Sequence, residues 1–156
     1  MSEQTITVRP YDPADAMATL HCFQRAVRGT ASHDYAPEQI ESWVAVDVDA
    51  WGRRRASVET RVAERDGQLV GFTDVDHDGY IDMMFVDPDA ARTGVASALL
   101  NHTTDLVRRR GGTELTVQAS ITARPFFERH DFVVTAEQRV ELRGSVLTNY
   151  RMRREL

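Results

Sequence analysis

The chain has 156 residues, of which 42% are hydrophobic and 28% are charged. This length suits one domain over residues 1–156, and the composition is that of ordinary globular proteins, which excludes disordered and fibrous classes. The formal net charge of -5 disfavours nucleic acid and anionic membranes as partners. No apolar run approaches the roughly 20 residues of a membrane-spanning helix, and the first residues lack signal-peptide features, so we expect a cytoplasmic protein.

The first third of the chain predicts a strand followed by helices. Alternation over residues 5–9 predicts an opening strand, and apolar residues at helical spacing from 16 to 27 predict a helix that Gly29 ends. Pro37 fits the first turn of a second helix, and a further helical stretch surrounds Trp51.

Two features of this region are interpreted as ordinary structure. Cys22 is the only cysteine and has apolar neighbours, which indicates a small core residue and not a reactive thiol. The arginine runs at 53–55 and 108–110 fall in or at the end of predicted helices, where solvated arginines are common. Both runs are therefore expected at the surface.

The remainder of the chain predicts strands with helices between them. Segments rich in Val, Phe and Ile at 61–64, 69–75 and 80–86, separated by Asp-Gly pairs, predict a three-stranded meander. Helical spacing returns after Pro88, and the later elements are a strand at 114–118, a short helix at 123–129, and strands at 132–142 and 146–152. This order predicts an α+β fold with a mixed sheet and helices on its faces.

The most informative segment is 85–100, where a predicted strand leads into a loop of small residues and then an amphipathic helix. The first N–H groups of a helix have no internal partner and lie at the positive end of its dipole, so they can bind an anion. Gly94 and Ala96 would let a phosphate approach closely. Small residues also cap helices where no ligand binds, so spacing alone does not establish a phosphate site.

Two stretches of this chain resemble motifs of the GNAT superfamily. Val86-Asp-Pro-Asp-Ala-Ala-Arg-Thr-Gly-Val-Ala-Ser-Ala-Leu-Leu resembles its acetyl-CoA-binding motif, in which Gln or Arg is followed after two residues by Gly-x-Gly or Gly-x-Ala. Ala119-Ser-Ile-Thr-Ala-Arg-Pro-Phe-Phe-Glu-Arg-His-Asp-Phe is similar to the later segment Asn-x-x-Ala-x-x-Phe-Tyr-Glu-x-x-Gly-Phe. A third stretch, from Tyr35 to Trp43, resembles small bacterial members of unassigned substrate.

The resemblance implies a GNAT-type mixed, mostly antiparallel sheet with helices on both faces. It implies an N-acetyltransferase that moves an acetyl group from acetyl-CoA to the primary amine of a small molecule by direct attack, without a metal. The strand at 80–86 would splay from the strand at 114–118 to admit pantetheine, and an N–H near Met84 or Phe85 would bind the oxyanion. The implied cofactor-binding residues are Met84, Phe85, Val86, Arg92, Thr93, Gly94, Val95, Ala96, Ser97, Ser120 and Phe127.

Three residues depart from the family pattern. Ala91 stands where the motif usually has Gln or Arg, which removes a side chain that supports the phosphate loop. Ser120 replaces an Asn that often contacts pantetheine. Phe127 occupies the position of the Tyr that protonates the departing thiolate in many members, and a phenyl ring has no proton to give. The usual general acid is therefore absent.

Asp82 and Tyr150 are the candidate catalytic residues. Asp82 interrupts an apolar strand near the expected thioester, where a carboxylate would have a raised pKa and could act as general base. The alternative is that Asp82 faces solvent or pairs with an arginine, as most strand carboxylates do. Tyr80 and Tyr150 could replace the missing acid by donating through a water, although strand tyrosines more often fill the edge of a core, and Tyr150 is the candidate retained.

The candidate acceptor-binding residues precede and include the second helix. Tyr35, Gln39 and Trp43 share one side of that helix by spacing, and the family uses this region as the acceptor wall. His33 could bind or deprotonate an amine. Ordinary packing of Trp43 and a solvated His33 are the alternatives.

Other functions stay open at the level of sequence. The departures at Ala91 and Phe127 would permit an acyl-CoA sensor without turnover, and some family members acetylate protein amines. Final strands often pair between subunits in this family, so a homodimer and a monomer are both allowed. Residues 74–79 match half of an EF-hand loop, but Phe85 stands at its twelfth position, so we expect a hairpin turn and no metal.

Overall fold

The computed structural model describes residues 5–156, which form eight strands and five α-helices. In chain order these are β1 (Thr7–Pro10), α1 (Ala16–Thr30), α2 (Pro37–Val44), α3 (Val48–Ser57), β2 (Glu59–Arg65), β3 (Gln68–Val75), β4 (Tyr80–Ile81), β5 (Met84–Val86), α4 (Val95–Arg109), β6 (Glu114–Ser120), α5 (Arg124–Arg129), β7 (Val133–Leu142) and β8 (Ser145–Glu155). Within these residues, no helix is both long and apolar enough to cross a bilayer.

The strands form two four-stranded sheets. The amino-terminal sheet has the order β1-β2-β3-β5 and the carboxy-terminal sheet the order β4-β6-β8-β7. Every pairing is antiparallel except that of β4 with β6. Helix α1 packs on the face of the amino-terminal sheet that carries Phe72, and α4 packs on the face that carries Ala63. The predicted α+β class, mostly antiparallel with helices on both faces, is confirmed.

The predicted strand at 80–86 is not continuous, which corrects the expectation of a simple meander. Its first half, β4, pairs with β6, whereas its second half, β5, pairs with β3 at the edge of the other sheet. The break has a side-chain cause, because Asp74 Oδ1 accepts hydrogen bonds from the backbone N–H groups of Asp82 at 2.8 Å and Met83 at 3.1 Å. A gap therefore opens between β5 and β6, as the resemblance implied.

The prediction that the arginine run at 53–55 lies at the surface is wrong for Arg55. Its side chain is 0% exposed, and Nη1 donates to Asp74 Oδ2 at 2.5 Å. Arg55 follows Trp51 by one helical turn on the buried side of α3, and its guanidinium lies 5.1 Å from the centre of the Trp51 ring. Arg55 is therefore buried because it lies on the side of α3 that faces the core, where the carboxylate of Asp74 pairs with its charge.

Two other predictions from this part of the sequence hold. Cys22 is buried in the core beside α1, and burial raises the pKa of its thiol to about 12. The stretch at 74–79 is a tight turn, in which Asp76 Oδ1 accepts from the N–H groups of Asp78 at 2.8 Å and Tyr80 at 3.0 Å. Among residues 5–156, no group of His, Cys, Asp and Glu side chains is placed to hold a metal ion.

Candidate active site

The gap between the two sheets holds two cavities that share a wall. One, of about 520 Å³, reaches the amino end of α4, and we call it the helix-terminus cavity. The other, of about 380 Å³, reaches Asp82, and we call it the carboxylate cavity. The residues that line both are Trp43, Met84, Phe85, Ser120, Ala123 and Phe127. Molecules bound in the two cavities would therefore meet beside β5.

The helix-terminus cavity ends at the first turn of α4, where unpaired N–H groups and the positive end of the helix dipole favour an anion. Arg92, Gly94, Val95, Ala96 and Ser97 line this end. The backbone is left-handed at Arg92, with φ of 61°, and at Gly94, with φ of 93°. Such left-handed residues turn backbone N–H groups into a concave surface that binds phosphate oxygens.

The carboxylate cavity places a titratable group beside β5. The side chain of Asp82 is 35% exposed, and Oδ2 lies 3.9 Å from an Nη2 atom of both Arg54 and Arg55. Burial raises the pKa of the Asp82 carboxyl, and repulsion from Asp74 raises it further, while Arg55 and Arg54 lower it by less. Asp82 therefore has arginine neighbours, yet its carboxylate accepts a proton more readily than an ordinary aspartate.

The hydrogen-bond pattern of β5 decides which of its N–H groups face the gap. Asp74 N donates to Met83 O and Asp87 N donates to Val70 O, and both of these bonds join β5 or its ends to β3. Hydrogen-bonded and non-hydrogen-bonded pairs alternate along an antiparallel ladder, so Phe85 also bonds to β3. The N–H of Met84 consequently points away from β3 and into the gap.

The chain that forms these two cavities also matches a known protein family. Residues 31–154 match the family model of the acetyltransferase (GNAT) domain. The chain belongs to the GNAT acetyltransferase family. Membership makes it an N-acetyltransferase and makes acetyl-CoA its acetyl donor, as the sequence resemblance implied.

Individual relatives agree with this assignment. The chain is 46% identical over 149 residues to the uncharacterized N-acetyltransferase YafP of Escherichia coli K12, a match that covers 95% of each protein. A GCN5-related N-acetyltransferase from Rhodopseudomonas palustris superposes with a TM-score of 0.95 at 32% identity, over 100% of this chain and 99% of that one. The PaiA N-acetyltransferase of Thermoplasma acidophilum, solved with coenzyme A, shares the fold with a TM-score of 0.78 at 16% identity, over 97% and 99% of the two chains.

Two GNAT motif residues, Thr93 and Ser97, differ in their position relative to the helix-terminus cavity, since Ser97 lines it and Thr93 does not. The Thr93 side chain turns away from the lining, because Oγ1 donates to Ala90 O at 2.6 Å and accepts from Arg65 at 3.1 Å. Ser97 lines the helix-terminus cavity with its Oγ 3.3 Å from His130 Nε2. His130 lines the same cavity and was missed by sequence reasoning, although it lies one turn after Phe126 in the second GNAT segment.

The two departures in the second GNAT segment both lie at the shared wall. Ser120 Oγ accepts from Ala123 N at 3.0 Å, which leaves its hydroxyl proton free to donate to a ligand. Phe127 is 3% exposed and packs its ring against Phe126 and Phe132, with ring centres 5.2 and 5.1 Å away. The position of the usual GNAT acid is thus filled by an apolar ring. Val86, from the first segment, also lines the helix-terminus cavity.

Only two of the four residues predicted to bind the acceptor line a cavity. Tyr35 and Trp43 line the carboxylate cavity. The Tyr35 hydroxyl is committed elsewhere, since it donates to Thr148 O at 2.6 Å and accepts from Ile121 N at 2.9 Å. Tyr35 therefore shapes the wall and joins β8 to the segment after β6.

Gln39, His33 and Tyr150 do not line either cavity. Both ends of the Gln39 amide are used within the structure: Nε2 donates to Val146 O of β8 at 2.8 Å, and Oε1 accepts from the N–H of Ala36, the residue that caps α2, at 2.7 Å. His33 is exposed on a short turn after α1.

The Tyr150 side chain is held outside the cavities by the neighbouring helix and strand. Its ring lies under the guanidinium of Arg124, 4.5 Å from the ring centre, and its hydroxyl donates to Glu137 at 3.3 Å. The hypothesis that Tyr150 supplies the missing acid therefore lacks a geometric basis, because its side chain packs beside α5.

Sequence reasoning also missed the polar wall of the carboxylate cavity. Gln118, Asn149, Glu141 and Arg143 line it from β6, β8 and the hairpin between β7 and β8. These residues come together around one cavity only because of the strand pairing, in which Asn149 is the partner of Ser120 on β6. No local motif in the sequence marks this set.

Proposed function

We propose that this protein transfers the acetyl group of acetyl-CoA to the primary amine of a small molecule, acting as one domain over residues 1–156. The observation that carries the proposal is the shared wall at Met84 and Phe85, with a helix amino terminus in one cavity and the Asp82 carboxylate in the other. The unpaired Cys22 fits a reducing compartment, and a cytoplasmic location is part of the proposal.

On the donor side, the pyrophosphate binds at the first turn of α4, between Gly94 and Ser97. Pantetheine follows the gap between β5 and β6, where the Ser120 hydroxyl can donate to one of its amides. The thioester then lies at the shared wall, with the carbonyl oxygen at the Met84 N–H. A backbone donor in this place stabilises the oxyanion without reorganisation, an effect worth roughly 3–4 kcal/mol in comparable sites.

On the acceptor side, the bound ammonium group first gives one proton to solvent, and the neutral amine then attacks the thioester carbonyl. The C–N bond forms, Asp82 takes a proton from the nitrogen, and the C–S bond breaks as coenzyme A leaves. No side-chain acid at Phe127 assists this departure. The ordinary thiol pKa of about 8.5 makes a thiolate an adequate leaving group near neutral pH.

The lining of the carboxylate cavity favours a small cationic amine with an apolar body. Phe23, Tyr35 and Trp43 form an aromatic wall. Asp82 and Glu141 supply two carboxylates against the single guanidinium of Arg143, and the excess negative charge attracts an ammonium group. The cavity volume of about 380 Å³ is that of a small-molecule site. A protein amine and an acyl-CoA sensor are the alternatives that the experiment must separate.

The test is a calorimetric titration with acetyl-CoA followed by thiol-release assays on the same sample. The acceptors are aromatic monoamines, amino acids, aminoglycosides and a lysine-containing basic peptide. We expect micromolar binding of acetyl-CoA and thiol release with the small apolar amines. Release with the peptide alone would favour a protein acetylase, binding without release would favour a sensor, and absence of binding would overturn the proposal.

A homodimer through β7 is a further part of the proposal. This strand is the outer edge of the carboxy-terminal sheet, and Val133 on it is 61% exposed. Antiparallel pairing of two copies about Gln138 would place Glu137 of one opposite Arg139 of the other. We expect light scattering after size exclusion to give a dimer mass, and a monomer mass at all micromolar concentrations would contradict it.

A further inference from the structure

Arg55 and Asp74 form an ion pair in the interior, with side chains 0% and 2% exposed. Of the ion pairs found within residues 5–156, it is the one with both partners buried. Removing two charges from water costs several kcal/mol per ion, and replacing such a pair by apolar residues is often neutral for stability. Stability alone is therefore a weak reason for this pair.

The two carboxylate oxygens of Asp74 accept hydrogen bonds from different partners, one from Arg55 and the other from the backbone. Oδ2 accepts from Arg55 Nη1, whereas Oδ1 accepts from the N–H groups of Asp82 at 2.8 Å and Met83 at 3.1 Å. Met83 O in turn accepts from Asp74 N at 3.1 Å and from Thr73 Oγ1 at 2.8 Å. Residues 73–74 thereby fix both backbone groups of Met83.

These contacts determine where the two cavities open. The N–H groups of Asp82 and Met83 are withdrawn from the strand ladder, so β4 ends before these two residues and β5 begins after them, against β3. Asp82 lies at this break, and Met84 is the first residue beyond it. Neither Arg55 nor Asp74 lines the helix-terminus cavity or the carboxylate cavity.

We propose that Asp74, held by Arg55, is a positioning residue for acetyl transfer, because it fixes the backbone that presents the Asp82 carboxylate and the Met84 N–H to the shared wall. The inference rests on the proposed function. It goes beyond that function by assigning a role to two residues that touch neither reactant. Arg55 orients the Asp74 carboxyl so that Oδ1 faces the break.

The charges around Asp82 give this role a measurable signature. Asp74 and Asp76 raise the pKa of the Asp82 carboxyl, Arg55 and Arg54 lower it, and burial is the largest influence. Tyr80 also faces Asp82, and burial together with these carboxylates raises the pKa of its phenol to about 12. Glu141 and Arg143 line the same cavity from the β7–β8 hairpin. Neutralising Asp74 should therefore lower the pKa of Asp82.

The experiment compares Asp74→Asn with the double variant Asp74→Asn/Arg55→Met. Asparagine keeps an acceptor for the two N–H groups but loses its charged bond to Arg55, so the Oδ1 position is no longer held. The double variant removes both charges and so leaves no unpaired buried ion. It tests the same role of Asp74 if the single variant does not fold. Asp15→Asn is the control, because it breaks the Arg9–Asp15 pair, neither partner of which lines either cavity.

We expect the folded variants to bind acetyl-CoA within about threefold of the unaltered protein while kcat falls by about tenfold or more. In Asp74→Asn the acidic limb of the kcat profile moves to lower pH. Asp15→Asn keeps both kcat and the profile. An unaltered kcat in a folded variant, or a loss of acetyl-CoA binding equal to the loss of kcat, would overturn the inference.

Failure of the proposed base is distinguishable from failure of this inference. If Asp82→Asn keeps full activity, then Asp82 is not the base, and the profile of Asp74→Asn should not move. A fall in kcat for Asp74→Asn would still be expected, since the Met84 N–H depends on the same break in the strand.

Discussion

Gly94→Glu is expected to abolish acetyl-CoA binding while the protein stays folded. Gly94 precedes the first turn of α4 and lines the helix-terminus cavity, so a glutamate there places an anion at the proposed pyrophosphate site. An added Cβ would meet only Ile6 Cδ1, at 4.0 Å, so no core packing is lost. Loss of two charge-assisted hydrogen bonds, worth roughly 1.5–3 kcal/mol each, weakens binding about a hundredfold or more in a calorimetric titration.

A matched control separates this effect from backbone strain. Gly94 has φ of 93° and Gly67 has φ of 76°, and a residue other than glycine costs about 1–2 kcal/mol in this left-handed region. Gly67 lies in the turn between β2 and β3, with nothing within 4 Å of an added Cβ. Gly67→Glu should therefore lower Tm about as much as Gly94→Glu but leave acetyl-CoA affinity unaltered. A folded Gly94→Glu protein with unaltered affinity would contradict the phosphate site.

The proposed phosphate site could be located from the sequence because its parts are contiguous in the chain. The strand end, the small-residue loop and the first turn of α4 lie within residues 84–97, so their relative geometry follows from local backbone preferences. Ser120 and Phe127 were found through a second local motif. Residues from both sets line the helix-terminus cavity in the structure, although Thr93 does not. Short contiguous motifs of this kind are therefore sufficient to indicate the residues proposed to bind the cofactor.

The acceptor side was less predictable because it depends on contacts between distant elements. Hydrophobicity predicts one strand over 80–86, but the carboxylate of Asp74 on a different strand interrupts it. Helical spacing puts Gln39 beside Tyr35 and Trp43, yet its amide is used by β8. Asn149 reaches the cavity through the pairing of β6 with β8, and a register shift of one residue would have turned it away.

Asp82→Asn is expected to lower kcat by about a hundredfold or more with acetyl-CoA affinity unaltered, because a base contributes roughly 10²–10⁴ and an amide cannot take its place. Asp82 lies in the carboxylate cavity and is absent from the wall of the helix-terminus cavity. The control is Asp105→Asn, which removes an exposed carboxylate of α4 and should leave kcat unaltered. Full activity of Asp82→Asn across the pH range would remove Asp82 from the mechanism.

The raised pKa of Asp82 also fixes the sign of its effect on stability. The pKa of Asp82 is higher in the folded protein than in the unfolded one. The free energy of unfolding therefore falls as the pH rises from the unfolded pKa, about 3.9, through the folded pKa, because ionisation is more costly in the folded state. The ionised Asp82 is therefore a destabilising group at neutral pH, and Asp82→Asn should raise Tm there, with no gain below about pH 3.9. A lower Tm at neutral pH would mean that the arginines hold Asp82 as a structural ion pair. A higher Tm together with a lower kcat would mean that the Asp82 carboxylate lowers the stability of the fold but is needed at the shared wall to take the proton of the amine.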